Sequence, residues 1–482
     1  MHASPTLWLC LGLPALPLEA LGGSGHEHQA CVITTGGHDS RVLLGNRAAY
    51  ALGIAPDLSI GAAQALGEIR VYARSAASEE AALKALAACC GQFTSWVSLA
   101  PPEGLLLEVG KSLNLFGGIE ALLDRIRRGV QALGYAPCLA LAPTPLAALF
   151  FVRAGQEVAI TESQGSRALL SRLPLTVLQI EGSTAKALSG CGLRNLGDLL
   201  RLPRAGLARR FGPHLVSVLD RALGRAADPR PAFEPPARFE RFFEFAHEVE
   251  DAEALQFAAQ RLLLELTGLL RARAAGTRRL DWILSHRDRR ESRFSLALVT
   301  ASRDPEHLGQ LMRVRLERMA LPEPVRLLGL VVDTLEPLAA TTHALWPEAK
   351  QALQEHASAL IERLRARLGP EAVCGLSLVP DHRPEAAWRF CMPGEVSPVV
   401  PLKRRPLWLL SAPQPLEIHE GQPYRGGILE FLDRSERIES GWWDGRAIAR
   451  DYFTARNPGG SRFWVFREIE GERRWFVHGI FE

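Results

Sequence analysis

The stretch from Phe239 to Thr334 constrains the fold of this chain most strongly. It reads in order as a strand (Phe239–Val249), a helix (Ala254–Ala274), two strands (Arg279–Ser285 and Phe294–Thr300), a second helix and a last strand (Val325–Thr334). The second helix opens with Asp304-Pro305-Glu306, a short acidic cap followed by proline at the first helical position, where its missing N–H is no loss. A β-α-β-β-α-β order closes into one sheet with both helices on the same face. The Pro-rich run Asp228–Pro236 sets this unit apart from what precedes it.

The rest of the chain is organised around that unit. With 482 residues, it is too long for one core and is expected to hold three or four domains. Residues 1–170 alternate strands and helices, with strand-like runs at Leu7–Leu13, Ala30–Thr34, Arg41–Leu44, Leu105–Val109 and Cys138–Leu141. Helical patterns fill Ser78–Ala88 and Ile119–Leu133, the latter with Leu122, Leu123, Ile126, Val130 and Leu133 at helical spacing. Residues 171–230 change to short helices separated by glycines, the rhythm of a helix-hairpin-helix module. The β-α-β-β-α-β unit takes 237–340, and a segment with a helix from Glu348 to Leu368 takes 341–398. From 399 to 482 the chain is β-rich and aromatic, with turn signals such as Asn457-Pro458-Gly459-Gly460, and reads as a small antiparallel barrel or sandwich. The expected class is α+β.

Charge and cysteine usage narrow the function. The formal net charge is only +3, so a polyanion must be met by local patches. One such patch gathers Arg271, Arg273, Arg278, Arg279, Arg287, Arg289, Arg290 and Arg293, and a second gathers Arg201, Arg204, Arg209 and Arg210. The eight cysteines form no C-x-x-C pair, which points to free thiols in a reducing, cytoplasmic setting. His26, His28 and Cys31 sit in a Gly-rich turn without a second ligand pair and read as a solvated loop. The apolar start lacks a basic leader, is broken by Pro14 and Pro17 and runs into Glu19, so it reads as a first strand. No run of 18 apolar residues occurs, and no membrane span is expected.

That first strand, Leu7-Trp8-Leu9-Cys10-Leu11-Gly12-Leu13, carries no acid, nor does the chain before Glu19. A second strand, Leu105–Val109, follows a Pro-Pro-Glu-Gly turn and is equally poor in carboxylates. Neighbouring strands of this kind carry the acids that hold two cations about 4 Å apart in two-metal phosphoryl transfer. Here the scaffold is expected without its ligands.

The units in this order resemble the Y-family translesion DNA polymerases: palm and fingers, helix-hairpin-helix thumb and little finger. More closely, the chain resembles the catalytically defective ImuB-type branch. The residues that carry the resemblance are Leu7-Trp8-Leu9 with Pro14-Ala15-Leu16-Pro17-Leu18-Glu19, Leu106-Leu107-Glu108-Val109 with Leu115-Phe116-Gly117-Gly118, and Arg209-Arg210-Phe211-Gly212. Pro406-Leu407-Trp408-Leu409-Leu410, Phe463-Trp464-Val465-Phe466 and Trp475-Phe476-Val477-His478-Gly479 are more specific to the branch.

The resemblance implies that the family's metal-binding acids fall at Cys10, Gly12, Glu103 and Gly104, leaving one carboxylate. A lone acid cannot hold two Mg²⁺ ions, which demand several oxygen ligands each. The family's triphosphate-gripping Tyr and Arg fall at Arg47 and Tyr50 in swapped order, and Ala142–Phe151 holds no lysine. Where a Gly-Ile-Gly hairpin would approach DNA, the thumb has Gln179-Ile180-Glu181. An inactive homologue without a cofactor is therefore expected, the alternative being a divergent active polymerase that uses Mg²⁺ and deoxynucleotides. The resemblance further implies a β sliding clamp contact at Thr342-His343-Ala344-Leu345-Trp346, with Leu345 and Trp346 as apolar anchors. The expected partners are damaged or primed DNA (at the arginines above), the clamp, a RecA-like cassette protein and an error-prone replicative-type polymerase.

Overall fold

The computed structural model describes residues 6–21, 29–36, 40–338, 349–399 and 404–481. The chain divides into two compact units, Met1–Leu353 and Gln354–Glu482.

In the first unit, strand β1 (Trp8–Gly12) leads into a single-turn helix α1 (Leu16–Glu19). A small three-stranded sheet follows, from β2 (Cys31–Thr34), β3 (Val42–Gly45) and β4 (Arg70–Ala73), in the order β3-β2-β4 and packed by α2 (Arg47–Ala51) and α3 (Ile60–Leu66). Helix α4 (Ala76–Cys90) returns the chain to the first sheet, which adds β5 (Val97–Ala100) and β6 (Gly104–Glu108). Beyond α5 (Leu113–Phe116) and α6 (Ile119–Ala132) come β7 (Cys138–Ala142), α7 (Pro145–Arg153), β8 (Val158–Ala159) and α8 (Ser163–Leu170). The sheet order is β5-β6-β1-β7-β8, so the acid-free β1 is its central strand, antiparallel to both neighbours.

Alternation along β1 gives this sheet two dry faces. Leu9 and Leu11, with Leu105 and Leu107, pack under α4 and α6. Cys10, with Leu106 and Ala140, packs under α7. Every residue from Pro145 to Val152 of α7 is buried, so the helix has no polar face to give it a helical period. The region after it holds α9 (Gly182–Gly190), α10 (Leu196–Arg201), α11 (Arg204–Phe211) and α12 (Pro213–Ala222). A capping box of Asn195 and Asp198 starts α10.

The β-α-β-β-α-β order is present: β9 (Phe239–Val249), α13 (Ala252–Ala272), β10 (Ala275–His286), β11 (Glu291–Ser302), α14 (Pro305–Leu316) and β12 (Val325–Val332). The sheet order is β11-β10-β12-β9, with the short β13 (Glu336–Pro337) paired to the start of β10. Asp304 caps α14 by accepting from the Glu306 N–H at 3.1 Å. Helix α13 crosses α4 through small residues. A Cβ on Gly268 would lie 2.7 Å from Cys89 Sγ, and one on Gly91 would lie 2.9 Å from Ala272 Cβ. Around this crossing, Arg241 pairs with Glu265 at 2.9 Å, and the linker's Phe233 N–H donates to the Val97 carbonyl at 2.7 Å.

Helix α15 (Ala349–Leu368) leads into the second unit. The stretch 341–398, read from sequence as a segment with one helix, also carries a hairpin of β14 (Gly375–Leu378) and β15 (Trp388–Cys391). Its cross-strand pairs Leu376–Phe390 and Leu378–Trp388 are exposed, so hydrophobic alternation did not signal a core strand. The β-rich remainder comprises β16 (Trp408–Pro415), the hairpin β17 (Glu417–His419) and β18 (Gln422–Tyr424), β19 (Glu430–Phe431), β20 (Glu436–Ser440), β21 (Ile448–Arg456), β22 (Arg462–Glu468) and β23 (Trp475–Ile480). The order is β16-β23-β22-β21-β19: β21, β22 and β23 form an antiparallel meander, β16 pairs with the last strand, and β19 and β20 both pair with β21. Tyr452, Trp464 and Phe466 are core, whereas Trp408, Trp442 and Trp443 are exposed. The Tyr452 hydroxyl and His478 Nδ1 share a buried hydrogen bond of 2.8 Å.

Candidate functional site

The four positions expected to descend from metal ligands converge at one end of β1, and each is closed in a different way. Gly12 pairs with Gly104 of β6 on one side and Cys138 of β7 on the other. A Cβ at Gly12 would fall 2.1 Å from Val152 Cγ1 of α7. Gly104 sits at φ +155°, and a Cβ there would fall 1.9 Å from the Leu11 carbonyl oxygen. Side chains are thus excluded at both glycines. Cys10 is fully buried, and burial first, then the nearby Glu103, pushes its thiol far above the usual range. A neutral thiol in an apolar layer is no ligand for a hard cation.

Glu103 is the one carboxylate in the set, and a cation from the chain itself already holds it. Arg153, the last residue of α7, grips it with two parallel bonds, Nε to Oε1 at 2.7 Å and Nη2 to Oε2 at 3.0 Å. The remaining guanidinium nitrogen donates to the Val177 carbonyl at 2.8 Å. Gln179, held in a left-handed conformation at φ +47°, donates its side-chain amide to the same carboxylate. Both charged side chains are 16% exposed, so the fork is only slightly screened by water. The arrangement ties the sheet to the turn Leu175–Leu178 that opens the helical region. Among the described residues no group of three His, Cys, Asp or Glu is placed to hold a metal ion.

Sequence reasoning missed Arg153 altogether and read Gln179 only as the first residue of the altered thumb hairpin. They lie 50 and 76 residues from Glu103. The only hint was a lone arginine ending an apolar run, Leu149-Phe150-Phe151-Val152-Arg153.

The positions of the expected nucleotide grips are also accounted for. Tyr50 accepts the Gly45 N–H through its hydroxyl at 3.2 Å, so the phenol serves the small sheet. Arg47 is exposed at the start of α2. The stretch Ala142–Phe151 runs from the end of β7 into the buried helix α7 rather than forming a cationic surface. Glu181 caps α9 with an exposed carboxylate and no side-chain cap bond, leaving negative charge at that helix start.

The structure interleaves many of these arginines with acids. Arg201 is 3.5 Å from Asp198, and Arg204 forks onto Asp220. Arg209 and Arg210 are exposed, with Arg210 over the Phe211 ring. On the open face of the β9–β12 sheet, Arg279 pairs with Asp281 at 3.0 Å and Arg293 with Glu291 at 2.7 Å. In the β10–β11 turn, Arg290 pairs with Asp288 at 3.2 Å, Arg287 pairs with Glu248, and Arg289 takes φ +66°. Arg278 pairs with Glu336 at 3.0 Å, and Arg273 donates to the Pro235 carbonyl at 2.5 Å. Much of the expected positive charge is therefore held in ion pairs. Counting arginines along the chain overlooked the acids two positions away on the same strand face. Thr342, His343, Ala344, Leu345 and Trp346 lie outside the described residues, as do His26 and His28, while Cys31 is buried in β2.

Residues 243–345 match the model of the impB/mucB/samB family C-terminal domain. Protein ImuB of Caulobacter vibrioides, in strain NA1000 / CB15N and in strain ATCC 19089 / CIP 103742 / CB 15, is 27% identical over 463 residues, covering 91% of this chain and 99% of the relative. Among solved structures, an insertion ternary complex of Dbh DNA polymerase aligns at 13% identity and TM-score 0.40 over 68% of this chain and 99% of its own. DinB from Sulfolobus solfataricus aligns at 14% and 0.38 over 69% and 99%. By its sequence matches the chain is a homologue of the Y-family DNA polymerases. Within that family it is of the ImuB type.

Proposed function

We propose that this chain is a non-catalytic member of its family. It acts as a DNA- and clamp-binding adaptor that brings an error-prone polymerase to damaged templates. The observation that carries this reading is the Glu103–Arg153 fork. The last acid of the metal set is neutralised from within, while Gly12 and Gly104 are sterically barred from regaining side chains. Two-metal catalysis needs several oxygen ligands per ion, and one engaged carboxylate does not supply them.

In this reading the palm is a platform. DNA is held by phosphate contacts from Arg201, Arg204, Arg209 and Arg210 and from the paired arginines of the β9–β12 sheet. Exposed ion pairs of this kind are worth at most about 1 kcal/mol, so phosphate can displace their carboxylates. Binding should then be sequence-independent and salt-sensitive, with a shallower slope than the same arginines would give unpaired. Leu345 and Trp346 anchor the clamp. The second unit takes the RecA-like partner and the polymerase. The test is a pull-down of full-length chain with clamp on primed DNA. Leu345→Ala with Trp346→Ala should abolish clamp capture and leave DNA capture intact, whereas undiminished clamp capture removes the adaptor's tether.

A further inference from the structure

The face of the palm sheet opposite Cys10 holds a cavity. It has a volume of about 770 Å³ and lies where α4, α6 and α13 meet, over the layer containing Leu9 and Leu11. The Cys89–Gly268 crossing makes it, because the small residues draw α13 against α4 and leave a hollow toward α6. Its size falls in the range of sites that enclose a small molecule.

The lining has three kinds of chemistry. Phe93 and Phe116 offer ring faces, with centroids 5.7 Å apart. Arg125, Arg128 and Arg271 supply positive charge. Arg128 is engaged by Asp124, but among the described residues neither Arg125 nor Arg271 has an acidic partner, and Arg125 instead lies over the Phe116 ring at 5.7 Å. The third kind is polar and buried. Thr267 is 2% exposed, and among the described residues its hydroxyl has no hydrogen-bond partner. An unmade bond at a buried hydroxyl carries a penalty that a bound ligand would lift. Gln92 donates its amide to the Cys89 carbonyl at 2.9 Å, leaving its oxygen to accept.

We propose that this cavity is a nucleotide-binding site, separate from the degenerate polymerase cleft. A flat base meets Phe93 and Phe116, the phosphates meet Arg125 and Arg271, and the Thr267 hydroxyl and Gln92 oxygen bond the sugar or base edge. Aromatic faces suit any base, and arginine forks suit phosphate oxygens. Two cations without acids beside a ring pair select this class over a purely apolar ligand.

The test is calorimetric titration of the full chain with ATP and with dTTP, using inorganic tripolyphosphate as the charge-only probe. Saturable binding of a nucleotide, much weaker binding of tripolyphosphate and at least tenfold weaker nucleotide binding in Arg125→Ala with Arg271→Ala are expected. Thr267→Val keeps the side chain's shape and should weaken binding about fivefold without lowering hydrogen-exchange protection of α13. No saturable binding by the native chain would overturn the proposal, as would equal affinity for tripolyphosphate or full affinity in the double variant. Loss of binding on Arg47→Ala would instead place the nucleotide in the polymerase cleft and also overturn it.

Discussion

Arg153→Met isolates the internal cation that holds Glu103. The substitution keeps most of the buried stem and removes two bonds to the carboxylate and one to the Val177 carbonyl. Breaking a fully buried pair costs about 3–5 kcal/mol, and breaking an exposed one at most about 1. With both side chains 16% exposed, the expected loss is about 2–3 kcal/mol, because Glu103 is left charged against an apolar helix. Glu103→Gln in the same chain should recover part of that loss, with a coupling energy of about 1–2 kcal/mol. Because two units unfold in one chain, a single global midpoint is ill defined. Hydrogen exchange read on peptides spanning 97–108 and 170–181 reports the site directly. Arg153→Met should lower protection there by roughly 30- to 150-fold, and Mg²⁺ should leave the native chain unchanged. Unchanged protection in Arg153→Met, or Mg²⁺-dependent protection of the native chain at these peptides, would show that Glu103 is not held as described.

Restoring the acids by Cys10→Asp with Gly12→Asp should yield neither polymerase activity nor a stable chain. One carboxylate would enter a fully buried apolar layer and the other would collide with Val152, a loss of several kcal/mol visible in melting and in soluble yield. Gly268→Leu should force α13 off Cys89 for about 1–3 kcal/mol and raise proteolysis at Asp228–Pro236. In the second unit, burial first, opposed by Glu385 and reinforced by Arg450, pushes His478 from 6.5 down to about 4. The unfolded chain therefore binds the proton before the folded one. Stability is complete above about pH 6.5 and falls by at most about 3 kcal/mol as pH drops to 4. His478→Gln should flatten that slope in pH-resolved melting of the second unit.

The parts of the fold legible in sequence were those with a local period or cap. The strand Phe239–Val249 and the Asp304 cap stand where hydrophobic alternation and the Asp-Pro-Glu run put them. Helix α7 was invisible because it is buried all round, and the hairpin at 375–391 because its apolar pairs face outward. At the site, the acid-free run around Cys10 and Gly12 was legible and the way those positions pack was not. The Glu103–Arg153 fork joins residues 50 apart through tertiary packing alone. The acids that balance the arginines were present in the sequence, but only the sheet register shows that Arg279 and Asp281 share a face.

The central claim is that the palm holds no catalytic metal site. Primer extension by the purified full chain, with Mg²⁺ or Mn²⁺ and all four deoxynucleotides, tests it most directly. The account predicts no incorporation above that of a mock purification, while the same preparation still binds the primed DNA. Incorporation that follows the protein through purification and is abolished by Glu103→Gln would contradict it.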